Sequence, residues 1–206
     1  MSTVLKETKL SPLELRQIVV DFMTNLGMLT SEEIEALADL IQVQQFKKGT
    51  FLYNERENWD NCYFVLRGAL REYLMINGVE KTIQFFFEFD SAIKFSHHKY
   101  KNLADSCLVC IEDSIVMVGN HDPVQEAETY KKFPNLQEIN RIGTEKDLAK
   151  MQDLLSSFMT STPTERYENL IKNRPDLLQR VPLHQIASYI GVTPESLSRI
   201  RKKIVS

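Results

Sequence analysis

The sequence has few cysteines and no long apolar run. Its 206 residues include three cysteines, Cys62, Cys107 and Cys110, an odd and sparse set that cannot build a disulfide framework. No stretch approaches the roughly 18 apolar residues that a membrane-spanning helix needs. Residues 1–10 also lack the apolar segment of a secretory signal. We therefore expect a cytoplasmic protein with reduced thiols and no membrane partner.

Internal repeats and low-complexity tracts are missing as well, so the composition is that of an ordinary globular protein. Hydrophobic residues make up 43% of the chain and charged residues 26%, which are usual values for a soluble domain. A chain of this length forms one large domain or two small ones, and it can bury a sizeable core without stabilising cross-links.

The charge is divided unevenly along the chain. Taken alone, the net charge of −3 argues against a nucleic-acid partner. However, residues 1–163 contain 17 Lys/Arg and 24 Asp/Glu, whereas residues 164–206 contain 8 and 4. A basic C-terminal piece on an acidic body indicates two separate tasks, although a charged and solvated tail would give the same count.

Hydrophobic periodicity predicts helices at the N-terminus and strands in the middle of the chain. Apolar residues recur at helical spacing from Ser11 to Gln42, which predicts two helices. From about Val43 to Val118, short β-branched and aromatic runs alternate with turn signals, of which Asn77-Gly78 is the strongest hairpin signal. We expect seven or eight strands, one of them over Lys81–Phe89, in a sandwich or barrel-like roll and hence an α+β fold.

The C-terminal part of the chain is predicted to be helical. After a short helix that ends near Tyr130, a long helix should run from Pro134 to about Phe158. Its apolar residues follow a roughly heptad spacing, which suits packing and makes a two-helix dimer seam plausible. Three further short helices are expected between Thr164 and Ser206.

The most informative segment covers residues 183–202, which have the pattern of two helices joined by a tight turn. Ala187 is small where crossing helices must approach closely, and Gly191 allows the positive φ of a turn. Thr193 can cap the second helix, and Pro194 suits its first position. The apolar positions that would form the small core are Ile186, Ile190, Val192, Leu197 and Ile200.

The second helix, over residues 194–204, has a polar and basic outer face. At 100° per residue, Glu195, Arg199 and Lys202 lie opposite the apolar face. Such a face suits a recognition helix in a DNA major groove, because it can bond base edges and phosphates. An ordinary helical hairpin with a solvated face is the alternative. The candidate DNA-binding residues are Thr193, Pro194, Glu195, Ser196, Ser198, Arg199, Lys202 and Lys203.

Two motifs carry a resemblance to a known family. One is the helix–turn–helix segment with Gly191 and residues 194–200. The other is Phe46-Lys47-Lys48-Gly49-Thr50-Phe51-Leu52, followed by Tyr63-Phe64-Val65-Leu66-Arg67-Gly68. Together with the order of elements, they resemble the CRP/FNR family of bacterial transcription regulators over nearly the whole chain.

The resemblance implies three parts and a set of partners. These parts are an N-terminal jelly-roll sensor domain over residues 1–133, a long dimerisation helix over 134–160 and a helix–turn–helix domain over 161–206. The implied protein is a homodimer that binds a palindromic site in double-stranded DNA and contacts RNA polymerase.

The resemblance also carries over to single positions of the second helix. Glu195 and Arg199 match the glutamate and arginine with which the family contacts bases. Pro194 stands where the family often has a further arginine, so this sequence departs from the family at that contact. The family usually continues into a β-hairpin wing whereas this sequence stops at Ser206, and we expect Lys202 and Lys203 to supply backbone contacts.

The phosphate-binding cassette of the cyclic-nucleotide-binding members is not preserved. Its Gly-Glu pair corresponds to Ile93-Lys94, and its Arg-Ser or Arg-Thr pair to Ala104-Asp105. Since a carboxylate beside a buried phosphate repels it, we predict that cyclic AMP does not bind and that no cofactor is present. A basic run could take another anion, although a solvated loop is the simpler interpretation. The candidate pocket residues are Lys94, Lys101, Asp105 and Ser106.

Metal-dependent and enzymatic functions have little support in the sequence. Cys107 and Cys110 lie three apart in a predicted strand, so their side chains point to opposite faces and do not share a metal. Adjacent His97 and His98 also diverge, and the chain cannot supply four thiolates for an iron–sulfur cluster. We expect no enzyme and no metal. The open alternatives are a small-anion sensor or a protein-interaction module whose helix–turn–helix does not read DNA.

Overall fold

The structure is a computed structural model that describes residues 9–53, 61–93, 106–120 and 122–205. Within them it contains eight helices and eight strands. The helices are α1 (Pro12–Leu26), α2 (Ser31–Leu40), α3 (Pro123–Lys132), α4 (Pro134–Thr160), α5 (Pro163–Asn173), α6 (Pro175–Arg180), α7 (Leu183–Tyr189) and α8 (Pro194–Val205). The strands are β1 (Gln42–Phe46), β2 (Phe51–Tyr53), β3 (Asn61–Arg67), β4 (Leu70–Ile76), β5 (Val79–Phe86), β6 (Ser91–Ala92), β7 (Ser106–Cys110) and β8 (Ser114–Asn120).

Side-chain caps fix where the first two helices begin. Ser11 accepts a hydrogen bond from the backbone N–H of Glu14, whose carboxylate accepts one from the N–H of Ser11. Thr30 and Glu33 repeat this capping box at the start of α2. Each box satisfies backbone donors that the first turn of a helix leaves unpaired.

All the strands pair antiparallel and form two four-stranded sheets. Sheet 1 has the order β1-β8-β3-β6, and sheet 2 has the order β2-β7-β4-β5. The predicted hairpin is confirmed, since Ile76 pairs with Val79 and both Asn77 and Gly78 have positive φ. The α+β class with antiparallel sheets is therefore confirmed.

One predicted strand is too long. We expected a strand through Phe89, but β5 ends at Phe86. The Asp90 carboxylate accepts a hydrogen bond from the N–H of Phe87, and Phe89 has a φ of 71°. This local side-chain bond closes a turn at a position where aromatic composition favours a strand.

The apolar faces of the sheets define two cores. Between the sheets, Val65 and Val116 of sheet 1 pack with Leu70 and Leu108 of sheet 2, and all four are fully buried. The opposite face of sheet 1 is covered by α1 and α2, where Val19 belongs to the same buried cluster as strand residues. None of the helices that the structure describes is both long enough and apolar enough to cross a membrane.

The long predicted helix is present as α4, and none of its residues is buried. Leu136 near its start packs against the apolar cluster under sheet 1, and further along the contacts are polar: Lys150 pairs with Asp90 at 2.6 Å, and Ser91 donates a hydrogen bond to Asp147 at 3.0 Å. Beyond it, the described chain forms four short helices rather than the expected three. The additional helix is α6, which begins at Pro175 because proline ends one helix and suits the first position of the next.

Candidate nucleic-acid interface

The turn between α7 and α8 is built by backbone hydrogen bonds that require a glycine. Val192 N–H donates to the carbonyl of Ala187 at 2.9 Å, and Gly191 N–H donates to that of Ser188 at 3.1 Å. These two bonds form a Schellman motif with Gly191 at its left-handed position, where φ is 77°. The turn thus directs the chain from one helix sharply into the next.

The start of α8 is set by Thr193 and Pro194. The Thr193 hydroxyl accepts a hydrogen bond from the N–H of Ser196 at 3.2 Å, as predicted for an N-cap. The pKa of Glu195 lies below its ordinary value, because its own backbone N–H and the hydroxyl of Thr193 bond the carboxylate and the charge of Arg199 adds to them. Glu195 is therefore ionised at neutral pH and available as an acceptor.

The inner face of the α7–α8 unit, defined as residues 183–205, forms the small core that we predicted. Ile186 and Ala187 are fully buried, and Leu197 is 1% exposed. Val192, Ile200 and Ile204 pack partly buried against them. Because the apolar positions are used for packing, the helix has one defined outer face.

The outer face of α8 carries most of the predicted DNA-binding residues. Ser196 differs from the others, because it is half-buried and its backbone serves the cap. Arg199 and Lys202 make no ion pair with a described residue, and they share a face with Glu195 at the helical repeat. The predicted residues that are exposed are Thr193, Pro194, Glu195, Ser198, Arg199, Lys202 and Lys203.

The α7–α8 unit is also packed against sheet 2, which the sequence did not reveal. Phe85 and Phe87 share a buried cluster with Leu177 and Ile186, and the ring of Tyr189 meets Phe85 edge-on at 5.3 Å. This contact places the second helix of the unit away from the sheets, so its outer face stays open.

Hydrogen bonds and ion pairs also connect the C-terminal helices to the strands. The hydroxyl of Ser188 accepts from the N–H of Thr82 and donates to the carbonyl of Glu80, both at 2.9 Å, and so pairs with the edge strand β5. Arg180 pairs with Glu88 at 2.7 Å and with the carboxylate of Glu112 at 2.6 Å. Since its partners lie 68 and 92 residues away, no local pattern could have identified this arginine.

Three of the four predicted pocket residues, Lys94, Lys101 and Asp105, lie outside the described residues. Ser106 is buried on β7 and donates a hydrogen bond to the carboxylate of Glu72 at 2.6 Å. The same carboxylate also acts on Tyr53. Burial is the main cause that raises the pKa of the Tyr53 hydroxyl, and the negative charge of Glu72 raises it further. In this arrangement the proton of Ser106 is already used by a carboxylate, and its role in holding an anion stays a prediction.

Two of the three cysteines are core residues. Cys107 and Cys110 are both buried, and burial raises the pKa of Cys110 to about 11, which keeps its thiol protonated at neutral pH. No group of three or more His, Cys, Asp or Glu residues in the described parts of the chain could hold a metal ion. His97, His98 and His121 lie outside those parts.

No protein-family profile matches the sequence. Solved structures with a similar fold are CRP/FNR-family transcription regulators. A mutant of CooA from Carboxydothermus hydrogenoformans is 18% identical with a TM-score of 0.67, covering 84% of this chain and 80% of its own. FixK2 from Bradyrhizobium japonicum is 18% identical with a TM-score of 0.62, covering 80% and 84%.

A third similar structure is the c-di-GMP responsive global regulator CLP of Xanthomonas campestris. It is 14% identical with a TM-score of 0.65, and the match covers 85% of this chain and 91% of that one. At such identities the likeness shows the fold alone.

Proposed function

We propose that this chain is a homodimeric, sequence-specific DNA-binding transcription regulator whose helix α8 enters the major groove. The observation that carries the proposal is the outer face of α8, where Glu195, Arg199 and Lys202 are exposed on a helix that is capped and packed on its other side. The similarity in fold to CRP/FNR regulators supports the same assignment.

Each exposed side chain has a chemical role in this proposal. Arg199 donates to O6 and N7 of a guanine, a contact that a guanidinium makes with two parallel bonds. The ionised Glu195 accepts from N4 of a cytosine. Lys202 and Lys203 lie further along the exposed side and contact phosphates, which fix the register of the helix without reading sequence.

The dimer of this proposal is held by α4. Leu148, Met151 and Leu155 are 56%, 56% and 63% exposed, and Phe158 is 40% exposed. Spaced three and four residues apart, these side chains form an apolar seam (Leu148, Met151, Leu155 and Phe158) of the kind that pairs two helices. Pairing through this seam gives two copies of α8, which then read the two halves of a palindrome one helical turn of DNA apart.

The division of the chain follows from the same proposal. Residues 1–133 form the jelly-roll sensor, residues 134–160 the dimerisation helix and residues 161–206 the helix–turn–helix domain. Any effector differs from cyclic AMP, because in the sequence Ala104-Asp105 replaces the pair that contains the phosphate-binding arginine. RNA polymerase is the further partner that such a regulator contacts.

Selection of bound sequences from a random duplex pool at two salt concentrations tests the proposal. We expect enrichment of a two-fold symmetric motif, together with binding that weakens steeply as salt rises, because neutralised phosphates release counterions. If the purified dimer, with and without a cell metabolite extract, enriches no sequence, the proposal is wrong. The α7–α8 unit would then be a protein-interaction module.

A further inference from the structure

Arg166, in the first turns of α5, joins the ends of two other helices. Its Nε donates to the carbonyl of Ile190 at 3.0 Å, and its Nη1 donates to the carbonyl of Ser161 at 2.6 Å. Ile190 is the C-cap of α7, and Ser161 is the C-cap of α4. One guanidinium therefore donates to carbonyls at two helix ends, where these carbonyl acceptors have no N–H donor within their own helix.

Phe158 of α4 also contacts Arg166. We call the contact among Arg166, Phe158, Gly191 and the carbonyls of Ser161 and Ile190 the joint. The guanidinium carbon of Arg166 lies 4.7 Å from the centre of the Phe158 ring, a cation–π distance. A Cβ atom at Gly191 would lie 2.9 Å from Cε1 of the same ring. The last turn of α4 is thus in direct contact with the turn that precedes α8.

The geometry of the joint requires an arginine. The planar fork presents Nε and Nη1 in fixed directions, so both carbonyls can be bonded while the flat face covers the ring. A lysine has a single ammonium group on a flexible stem and cannot reproduce that arrangement. The negative ends of the two helix dipoles add to the attraction for a positive charge at this place.

We propose that Arg166 is a positioning residue that fixes the orientation of α8 relative to α4. The inference rests on the proposed function, since α4 is the dimer seam and α8 the reading helix. In a dimer, the angle between these helices sets the separation and rotation of the two reading helices. Arg166 is half-buried with its donors committed to carbonyls, so it selects the spacing of the half-sites rather than their bases.

The test compares binding to duplexes whose two half-sites are moved together or apart by one and two base pairs. One base pair changes the separation by about 3.4 Å and the rotation by about 36°. We expect the wild-type dimer to lose affinity about tenfold or more for a shift of one base pair. In Arg166→Gln the preference should fall below about threefold, while the preferred bases within each half-site stay the same.

Two further variants test whether a lost spacing preference comes from the contacts of Arg166 rather than from the loss of a charge. Arg166→Lys keeps the charge and should also lose the spacing preference, because it cannot bond both carbonyls. Arg141→Gln removes a guanidinium from the exposed part of α4, where it pairs with Glu138 and Glu145, and should keep the preference. An unchanged spacing preference in a folded, dimeric Arg166→Gln or Arg166→Lys would overturn the proposal.

The joint can also be measured without DNA, which separates its failure from a failure of the proposed function. Spin labels at Ser156→Cys on α4 and Arg201→Cys on α8, in a Cys62→Ser background diluted with unlabelled protein, report the distance between the helices. A single narrow distance that broadens in Arg166→Gln supports the positioning role. An equally narrow distribution in the variant contradicts it, whether or not the protein selects a DNA sequence.

Discussion

Arg180 and Glu88 form a two-point ion pair that fastens the C-terminal helices to sheet 2. Nη1 of Arg180 lies 2.7 Å from Oε2 of Glu88, and Nη2 lies 3.0 Å from Oε1. The same guanidinium donates to both carboxylate oxygens of Glu112 and to the carbonyl of Gly68. The side chain is 28% exposed, so water screens these contacts less than on an open surface.

Arg180→Met should loosen this attachment. The substitution removes the charge-assisted hydrogen bonds and leaves Glu88 and Glu112 facing each other without a cation. We expect the free energy of unfolding, measured in urea titrations, to fall by about 1–3 kcal/mol. The loss is no larger because water partly screens this partly exposed side chain. Arg141→Met, which removes the exposed ion pairs of α4 with Glu138 and Glu145, should lower the free energy of unfolding by less than Arg180→Met does. Equal losses in the two variants would contradict the special role of Arg180.

The pH dependence of stability should contain a contribution from Glu88. Burial alone would raise its pKa, but hydrogen bonds from Arg180 and the backbone outweigh burial, so the pKa lies below the ordinary value of 4.5. A lowered folded-state pKa stabilises the protein above pH 4.5, and the contribution is lost as the pH falls through the folded value. Urea titrations between pH 7 and pH 3 should therefore show a shallower acid loss in Glu88→Gln than in the wild type. A slope equal to that of the wild type would show that Glu88 contributes nothing.

Arg199→Ala should weaken sequence-specific DNA binding by about 1–3 kcal/mol per half-site, because it removes the two-bond contact with guanine. Arg201→Ala carries the same charge change on the same helix, but Arg201, although exposed, lies about 160° around α8 from Arg199 and so outside the outer face. It should therefore reduce affinity similarly for all sequences. Footprinting and titration of the selected duplex against a scrambled one distinguish these outcomes. A retained footprint in Arg199→Ala would show that Arg199 does not contact a base.

Leu155→Glu should break the dimer, since it places a charge in the centre of the apolar seam of α4. Leu155 is 63% exposed in the single chain, so the substitution does not disturb the core of a protomer. Ser156→Glu introduces the same charge one residue along, outside the seam, and should stay dimeric. Sedimentation at micromolar concentration checks both variants. A dimeric Leu155→Glu would exclude this seam as the interface.

Gly191→Ala and Gly143→Ala should change stability in opposite directions. At Gly191 the new Cβ meets both a left-handed φ and the ring of Phe158, which we expect to cost about 1–2 kcal/mol or more. Gly143 lies inside α4 with nothing within 4 Å of a new Cβ, so alanine there should stabilise the helix by about 1 kcal/mol. Thermal unfolding of the two variants measures both effects. A Gly191→Ala variant as stable as the wild type would contradict the close approach of Phe158.

Local sequence signals predicted the elements whose bounds depend only on neighbouring residues. The cap at Thr193, the proline after it and the glycine of the turn located α8 within its observed bounds, because each feature depends on a few neighbouring residues. The heptad pattern located α4 in the same way. The prediction was wrong at Phe87–Phe89, where the Asp90 side chain ends β5 against the aromatic composition.

The sequence by itself determined most of the helices and strands, although not α6, and the exposed face of α8, since periodicity and caps are read over a few residues. Only the tertiary structure decided how the α7–α8 unit is held. Arg180 meets Glu88 and Glu112, and Arg166 meets the carbonyl of Ile190, across sequence separations of 24 to 92 residues. A guanidinium can bond any carboxylate or carbonyl that reaches it. Which one it bonds is settled when the sheets and helices pack, because packing alone brings distant chain segments within 3 Å.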